Sequence, residues 1–209
     1  MTRILLVRHG QSEWNADGRW QGQADPALSE LGRRQARAAA RSIGTVDVIA
    51  ASPLERANDT AEIIAAELGI GPVVAIDGLM ERCAGEWEGL TREQIDVQYA
   101  GYLADGRRPP GWEDDDLLLD RALGALDAIA QFVGDDGEIV AVTHGGVIMR
   151  IEDHLGGGHH RMPNVGGRWI ERRIGQSGGG GEWLLGDRIE LLDGADLAAG
   201  VEITVPNQI

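Results

Sequence analysis

Short apolar runs alternate with helix-length amphipathic stretches along most of this chain, and this alternation constrains its fold more than any other feature. Runs rich in β-branched residues predict strands, whereas apolar residues spaced three and four apart predict helices. The predicted strands cover residues 3–7, 46–50, 73–76, 138–142, 168–174 and 182–190. Strands that alternate with helices favour an α/β fold, a three-layer α/β/α sandwich with a mainly parallel central sheet.

Capping residues mark where several of the predicted helices begin. Ser29 can cap one helix, and Thr91 with Gln94 predicts a capping box at the start of another. Another helix start is predicted by Ser52 as the cap, Pro53 at the first helical position and Glu55 closing a capping box. The predicted helices cover residues 30–43, 53–68, 92–103, 116–133 and 146–155.

The chain length favours one domain. With 209 residues the chain can bury one good core but is short for two. The Gly-rich stretch of residues 175–181 could be an interdomain linker, but too little chain follows it to form a second domain. We therefore expect a flexible hairpin loop there and a single domain over residues 1–209.

The charge balance restricts the partners. The net charge is -15, and all 19 basic residues are Arg. An acidic surface disfavours nucleic acid and anionic membranes, so an anionic substrate must be held by a local Arg cluster. Cys83 is the only cysteine, the first strand begins almost at Met1, and no apolar stretch approaches membrane-spanning length. We expect a cytoplasmic protein; a homodimer is compatible with the sequence.

Polar residues follow the predicted strands where the strands end. Arg8 and His9 follow the first strand, Arg56 follows the second by a few residues, and His144 and Gly145 follow the fourth. Ligands of open α/β sheets bind at the carboxyl ends of the strands. We therefore expect two arginines and two histidines to meet there. Gly145 would allow a ligand close to the backbone, and the helix after it would favour an anion.

These residue types suit phosphoryl transfer through a histidine. An unprotonated imidazole such as that of His9 can attack phosphorus. Guanidinium groups bind phosphate oxygens in a forked geometry and offset the charge of the transition state. An alkoxide leaving group also needs a proton. Glu81, after the third strand, is the candidate donor, because a carboxyl group beside a bound phosphate retains its proton more readily.

Five sets of motifs, in order along residues 3–150, resemble those of the histidine phosphatase superfamily, the phosphoglycerate-mutase-like proteins. They are residues 8–15 (RHGQSEWN), 28–32 (LSELG) with 35–36 (QA), 52–54 (SPL) with 56–57 (RA) and 60–61 (TA), 81 (E) with 85–91 (GEWEGLT), and 143–146 (THGG). The resemblance implies the phosphoglycerate-mutase-like fold, a small phosphorylated metabolite as substrate, and no metal or other cofactor.

The resemblance also assigns roles to individual residues. It implies that His9 is the phosphorylated nucleophile and that Glu81 is the general acid and then the general base. The other implied roles are phosphate binding by Arg8, Arg56 and His144, an extra phosphate contact from Asn15, and a substrate-facing loop at Gln21 and Gly22.

Phosphatase activity is favoured over two alternatives. A mutase must exclude water, and the segment between Glu81 and His144 is short for the covering insertion of the family's mutases. Residues 85–89 resemble the phosphatase form of the motif, although Trp112 and Asp114 depart from the phosphatase pattern around Glu113. A non-catalytic module that binds phosphorylated ligands is disfavoured, because none of the catalytic residue types is missing.

Two further groups have no assigned role. His154, His159 and His160 could suggest a metal site, but their Gly-rich loop offers few carboxylates. In the alternative interpretation, the substrate pocket is bordered by His159, His160, Arg161 and Asn164. Arg107 and Arg108 are expected either in a solvated loop or on a second anionic group of the substrate, such as a carboxylate.

Overall fold

The computed structural model describes residues 1–173 and 181–204. Its strands are β1 (Thr2–Arg8), β2 (Val48–Ala51), β3 (Val74–Ala75), β4 (Glu138–Thr143), β5 (Gly166–Arg173) and β6 (Glu182–Glu190). Its α-helices are α1 (Glu13–Ala16), α2 (Glu30–Ala40), α3 (Glu55–Leu68), α4 (Arg92–Gln98), α5 (Asp115–Val133), α6 (Gly145–His154) and α7 (Gly194–Ala198). Short 3-10 turns occupy Asp77–Leu79 and Gly85–Trp87.

The strands form one mixed sheet in the order β3-β2-β4-β1-β5-β6. The first four of these are parallel to one another, whereas β5 pairs antiparallel with β1 and β6 pairs antiparallel with β5. The prediction of a mainly parallel sheet is therefore confirmed. The loop predicted between β5 and β6 lies, apart from Gly181, outside the described residues.

Alternating side chains of the central strands build a core on each face of the sheet. Leu5 and Val7 of β1 point towards α2 and α3, and Ile4 and Leu6 point towards α5 and α6. This period of two follows from strand geometry. Helices on both faces confirm the three-layer arrangement. No helix within residues 1–173 and 181–204 is long and apolar enough to cross a membrane.

The predicted start of α3 is wrong. The helix begins at Glu55 with Leu54 in the cap position, and Leu54 provides no side-chain cap. Instead, the carboxylate of Asp25 accepts a hydrogen bond from the backbone N–H of Glu55 at 2.7 Å. Ser52 does not cap this helix, because its hydroxyl oxygen lies 2.8 Å from a ring nitrogen of His144. A distant loop thus replaces the local cap.

Two other helices end earlier than predicted. Backbone N–H groups of residues 41–43 bond to carbonyls three residues back, so α2 tightens after Ala40. Helix α4 stops at Gln98 instead of reaching residue 103, and Tyr99 and Tyr102 turn to pack against each other. The capping box predicted at Thr91 is present, and α5 and α6 begin within one residue of the prediction.

A separate group of aromatic side chains covers the carboxyl end of the sheet. We call this group, which consists of Trp20, Trp87, Trp112 and Tyr99, the aromatic cluster. Trp87 is fully buried at its centre, with ring centroids 5.2 Å from Trp20, 5.6 Å from Trp112 and 6.1 Å from Tyr99. Tilted pairs at these distances are favourable aromatic contacts.

Candidate active site

Parallel pairing of β1 and β4 brings the two predicted histidines together. Arg8 is in register with Thr143, and the N–H of His9 donates to the carbonyl of Thr143 at 3.0 Å. The rings of His9 and His144 consequently lie 5.1 Å apart, centroid to centroid. Arg56 reaches the same place from the first turn of α3. The structure thus assembles four residues from three strand ends.

The geometry around His9 holds its imidazole in the neutral form. Its Nδ1 lies 2.6 Å from the carbonyl oxygen of Gly10. A carbonyl can only accept, so Nδ1 carries the proton and Nε2 keeps its lone pair. Burial lowers the pKa of His9 well below its ordinary value, and the charges of Arg56 and Arg8 lower it further, against an opposing effect of the Gly10 bond. The ring is therefore unprotonated at neutral pH.

Two buried guanidinium groups flank this histidine. Arg8 donates from Nη1 to the carbonyl of Met162 at 2.6 Å. Arg56 donates from Nη1 to Ala24 and from Nη2 to Gly22, at 2.8 Å each. Burial lowers the pKa of both arginines to about 10, opposed by the charge of a nearby glutamate, Glu81. Both remain cations at neutral pH and make this region electropositive despite the acidic chain.

His144 completes the polar group. Its Nε2 lies 2.8 Å from Ser52 Oγ, which also accepts from the N–H of Leu54 at 3.3 Å. We assign the hydroxyl proton to this contact, which places the ring proton on Nδ1. Burial, followed by the charge of Arg56, lowers the pKa of His144 well below its ordinary value. Like His9, it is neutral.

Three buried nitrogens of this group have no hydrogen-bond partner among the described residues: Nε of Arg8, Nε of Arg56 and Nδ1 of His144. Buried donors are normally satisfied, because an unpaired one is unfavourable by about 1–3 kcal/mol. A tetrahedral anion with several acceptor oxygens is the ligand chemistry that would satisfy all three.

The carboxylate of Glu81 lies beside this group. Its Oε1 accepts from the N–H of Arg82 at 2.8 Å, and its Oε2 accepts from the N–H of Gly146, at the start of α6, at 3.0 Å. A Cβ atom at Gly146 would lie 2.5 Å from Oε1, so a glycine is needed for this approach. Glu81 is thereby fixed against the helix that follows His144.

A cleft lies beside this group of residues. Arg8, His9 and Glu81 lie along it, and Trp20 and Trp112 of the aromatic cluster form an apolar side. An anion-binding end with an apolar side suits a small phosphorylated molecule.

Comparisons with known proteins agree with this geometry. The profile of the histidine phosphatase superfamily (branch 1) matches residues 4–165. The chain belongs to this superfamily. The metal-independent phosphoserine phosphatase of Arabidopsis thaliana is 39% identical over 162 residues, which cover 72% of this chain and 67% of that protein. The glucosyl-3-phosphoglycerate phosphatase of Mycobacterium tuberculosis is 37% identical over 168 residues, 73% of this chain and 74% of that protein.

Solved structures show the same relationship. A mycobacterial glucosyl-3-phosphoglycerate phosphatase in complex with VO3 superimposes with a TM-score of 0.76 at 31% identity, covering 88% of this chain and 96% of the other. A histidine-to-alanine mutant of the Entamoeba histolytica phosphoserine phosphatase, in complex with phosphoserine, gives a TM-score of 0.72 at 29% identity over 91% and 98%. The chain is accordingly on the phosphatase branch, a hydrolase of phosphomonoesters.

The structure places the remaining predicted residues of this histidine phosphatase at different distances from the cleft. Gln21 and Gly22 line it, and a Cβ atom on Gly145 would lie 3.3 Å from the guanidinium carbon of Arg8. Asn15 instead accepts from the N–H of Ser12 at 3.2 Å, as part of the α1 capping box. Its phosphate contact stays a prediction.

The residues left without a role in the sequence also receive positions. His159 and His160 are exposed, whereas Asn164 is buried and donates to the carbonyl of His9 at 2.9 Å. Arg108 stacks at 4.9 Å over Trp112, which itself lines the cleft. No group of three or more His, Cys, Asp or Glu that could hold a metal occurs within the two described ranges.

Three supporting residues of this histidine phosphatase were missed at the sequence level. Ser52 orients His144, Gln23 donates to the carbonyl of Glu81 at 3.1 Å, and Arg121 of α5 donates to the same carbonyl at 3.0 Å. Ser52 lay in a recognised motif but was assigned to helix capping. Gln23 and Arg121 had no local signal, because each acts through a contact distant in sequence.

The neutral histidines predict a pH-dependent stability for the ligand-free enzyme. His9 and His144 have folded pKa values well below 6.5, so below that pH only the unfolded chain takes up protons there. Stability should therefore fall as the pH drops below about 6.5, because protons then bind to these positions in the unfolded chain in preference to the folded one. Urea unfolding at pH 7.5 and 5 should show a smaller loss in a His9→Gln/His144→Gln double variant. Equal losses would contradict the neutral assignment.

Proposed function

We propose that this histidine phosphatase hydrolyses a small phosphorylated metabolite through a phosphohistidine on His9. The observation that carries the proposal is the hydrogen bond between His9 Nδ1 and the carbonyl of Gly10, which leaves Nε2 unprotonated in a buried, cationic site. A nucleophile that is neutral and oriented before substrate binds needs no separate base.

The first step transfers the phosphoryl group to the enzyme. Nε2 of His9 bonds to phosphorus while the ester P–O bond breaks. Arg8, Arg56 and His144 stabilise the charge on the equatorial oxygens. Glu81 acts as the general acid and gives a proton to the departing alkoxide, which leaves as an alcohol.

The second step releases phosphate. Water attacks the phosphorus of the phosphohistidine, and the Glu81 carboxylate takes the proton from that water. The N–P bond breaks, the electron pair returns to Nε2, and inorganic phosphate departs. The enzyme regains its starting protonation, with no metal or other cofactor in the cycle.

The substrate class we propose is an alkyl phosphate that also carries a carboxylate. Both named relatives act on such compounds, phosphoserine and glucosyl-3-phosphoglycerate. Arg82 and Trp112 line the cleft, and Arg82 and Arg108 lie over the Trp112 ring at 5.2 and 4.9 Å. They provide cationic groups for a second anion.

Replacing Glu81 with Gln tests the proposed function through the leaving group. An alkyl phosphate needs a proton on departure, so kcat/KM should fall by about 100- to 1,000-fold. For p-nitrophenyl phosphate, whose leaving group hardly needs one, the loss should be less than about tenfold. Both substrates are assayed in EDTA, which should leave wild-type activity intact.

The matched control is Glu86→Gln, an exposed glutamate of the same loop whose carboxylate accepts from the Tyr99 hydroxyl. It should leave both rates unchanged. Equal losses on the two substrates in Glu81→Gln would remove Glu81 from the acid role, and strong inhibition by EDTA would revive a metal-dependent mechanism.

A further inference from the structure

A bidentate ion pair lies next to the loop that carries Glu81. Arg121 of α5 donates from Nε to Oε1 of Glu113 at 2.6 Å and from Nη2 to Oε2 at 2.8 Å. Their side chains are only 22% and 14% exposed, respectively. Forked arginine–carboxylate pairs fix direction as well as distance.

The same guanidinium holds the backbone that leads into Glu81. Nη1 of Arg121 donates to the carbonyls of Gly78 and Met80, at 3.0 and 2.6 Å. Nη2 donates to the carbonyl of Glu81 itself at 3.0 Å. One side chain therefore binds three carbonyls within four residues of chain.

Glu113 binds the backbone segment that follows Glu81 in the chain. Its carboxylate accepts from the N–H of Cys83 at 3.2 Å, and its own N–H donates to the carbonyl of Cys83 at 3.0 Å. Arg82 donates to the carbonyl of Glu113 at 2.7 Å. Although burial acts to raise it, the pKa of Glu113 is lowered overall by the hydrogen bond and charge of Arg121, so the carboxylate is ionised.

We propose that Arg121 and Glu113 are positioning residues that hold the Glu81 carboxylate at the leaving-group oxygen, an inference that rests on the proposed acid role of Glu81. One of the two N–H groups that bind this carboxylate belongs to Arg82, within the clamped loop. Displacement of the loop therefore moves the carboxylate with it. A misplacement of about 1 Å can reduce a rate by about 100-fold.

The test is Arg121→Lys, which keeps the charge and loses the fork. On an alkyl phosphate that the wild-type enzyme hydrolyses, kcat/KM should fall by about 10- to 100-fold. On p-nitrophenyl phosphate it should fall by less than about threefold, because that reaction depends little on the acid. Glu113→Gln, nearly isosteric, should show the same selective loss and carries the test if Arg121→Lys does not fold.

Arg172→Lys is the matched control. Arg172 forms an ion pair, at 3.1 Å, with Asp127, which lies in α5 like Arg121. Arg172 itself is distant in sequence from the Glu81 loop. It should leave both rates unchanged. Equal losses on the two substrates in Arg121→Lys and Glu113→Gln would overturn the positioning role, because a merely structural effect does not distinguish leaving groups.

A double variant separates the inference from the proposed function. Once Glu81→Gln has removed the acid, adding Arg121→Lys should cost no further activity on the alkyl phosphate. A further loss of 10-fold or more would overturn the inference. If Glu81→Gln shows the leaving-group effect and Arg121→Lys does not, only the positioning role fails; if Glu81→Gln itself lacks the effect, the proposed acid role fails.

Discussion

Replacement of His9 by Gln should reduce kcat/KM by at least about 10,000-fold on every phosphomonoester, activated or not, because no nucleophile remains to receive the phosphoryl group. The imidazole is buried, with 2% of its surface exposed, and its Nδ1 already donates a hydrogen bond to the carbonyl of Gly10. A glutamine side chain can replace that hydrogen bond but has no nitrogen lone pair available for attack.

The intermediate gives this prediction an independent measurement. Wild-type enzyme mixed with radiolabelled substrate and quenched in alkali should retain label that is lost in acid, as expected for phosphohistidine. His9→Gln should retain none. The control is His154→Gln, an exposed histidine at the end of α6, which should label like the wild type. Normal labelling of His9→Gln would place the nucleophile elsewhere.

Arg56→Lys should lower kcat/KM by about 100- to 1,000-fold while leaving the enzyme folded. The guanidinium is fully buried, binds the carbonyls of Gly22 and Ala24, and acts electrostatically on both histidines. An ammonium group keeps the charge but cannot bind two carbonyls and present a fork to phosphate at the same time. Loss of one such donor in a transition-state pocket typically costs this much.

Inorganic phosphate provides the matching binding measurement. Its Kd, measured by calorimetry, should rise in Arg56→Lys in step with the lost activity. Arg33→Lys is the control, because Arg33 forms a half-buried ion pair, at 3.1 Å, with Asp59 of the same helix α3. The phosphate-binding role would be refuted if Arg56→Lys bound phosphate and turned over substrate like the wild type.

The parts of the fold and site that depend on local pattern were predictable from the sequence. Apolar runs predicted the strands. Arg8, His9 and His144, which follow β1 and β4, lie together as expected, because neighbouring parallel strands end at the same edge of the sheet. The capping box of Thr91 and Gln94 was equally local. The motif order then fixed the family.

Contacts between distant segments were not predictable. Ser52 looked like a helix cap, yet tertiary structure gives its hydroxyl to His144 and supplies the cap of α3 from Asp25. Local capping chemistry predicts a partner only when no better one lies nearby in space. Arg121 could not be identified at all, because nothing in an amphipathic helix distinguishes an arginine that grips another loop from one that faces water.

The aromatic cluster gives the enzyme an optical property. Trp20, Trp87 and Trp112, three of the six tryptophans in the chain, are packed together, and two of them line the cleft. Indole emission responds to the polarity and charge around the ring, and Arg82 and Arg108 lie over Trp112. A ligand that enters the cleft or draws these cations away therefore changes the intrinsic fluorescence, so that occupancy can be followed without a label.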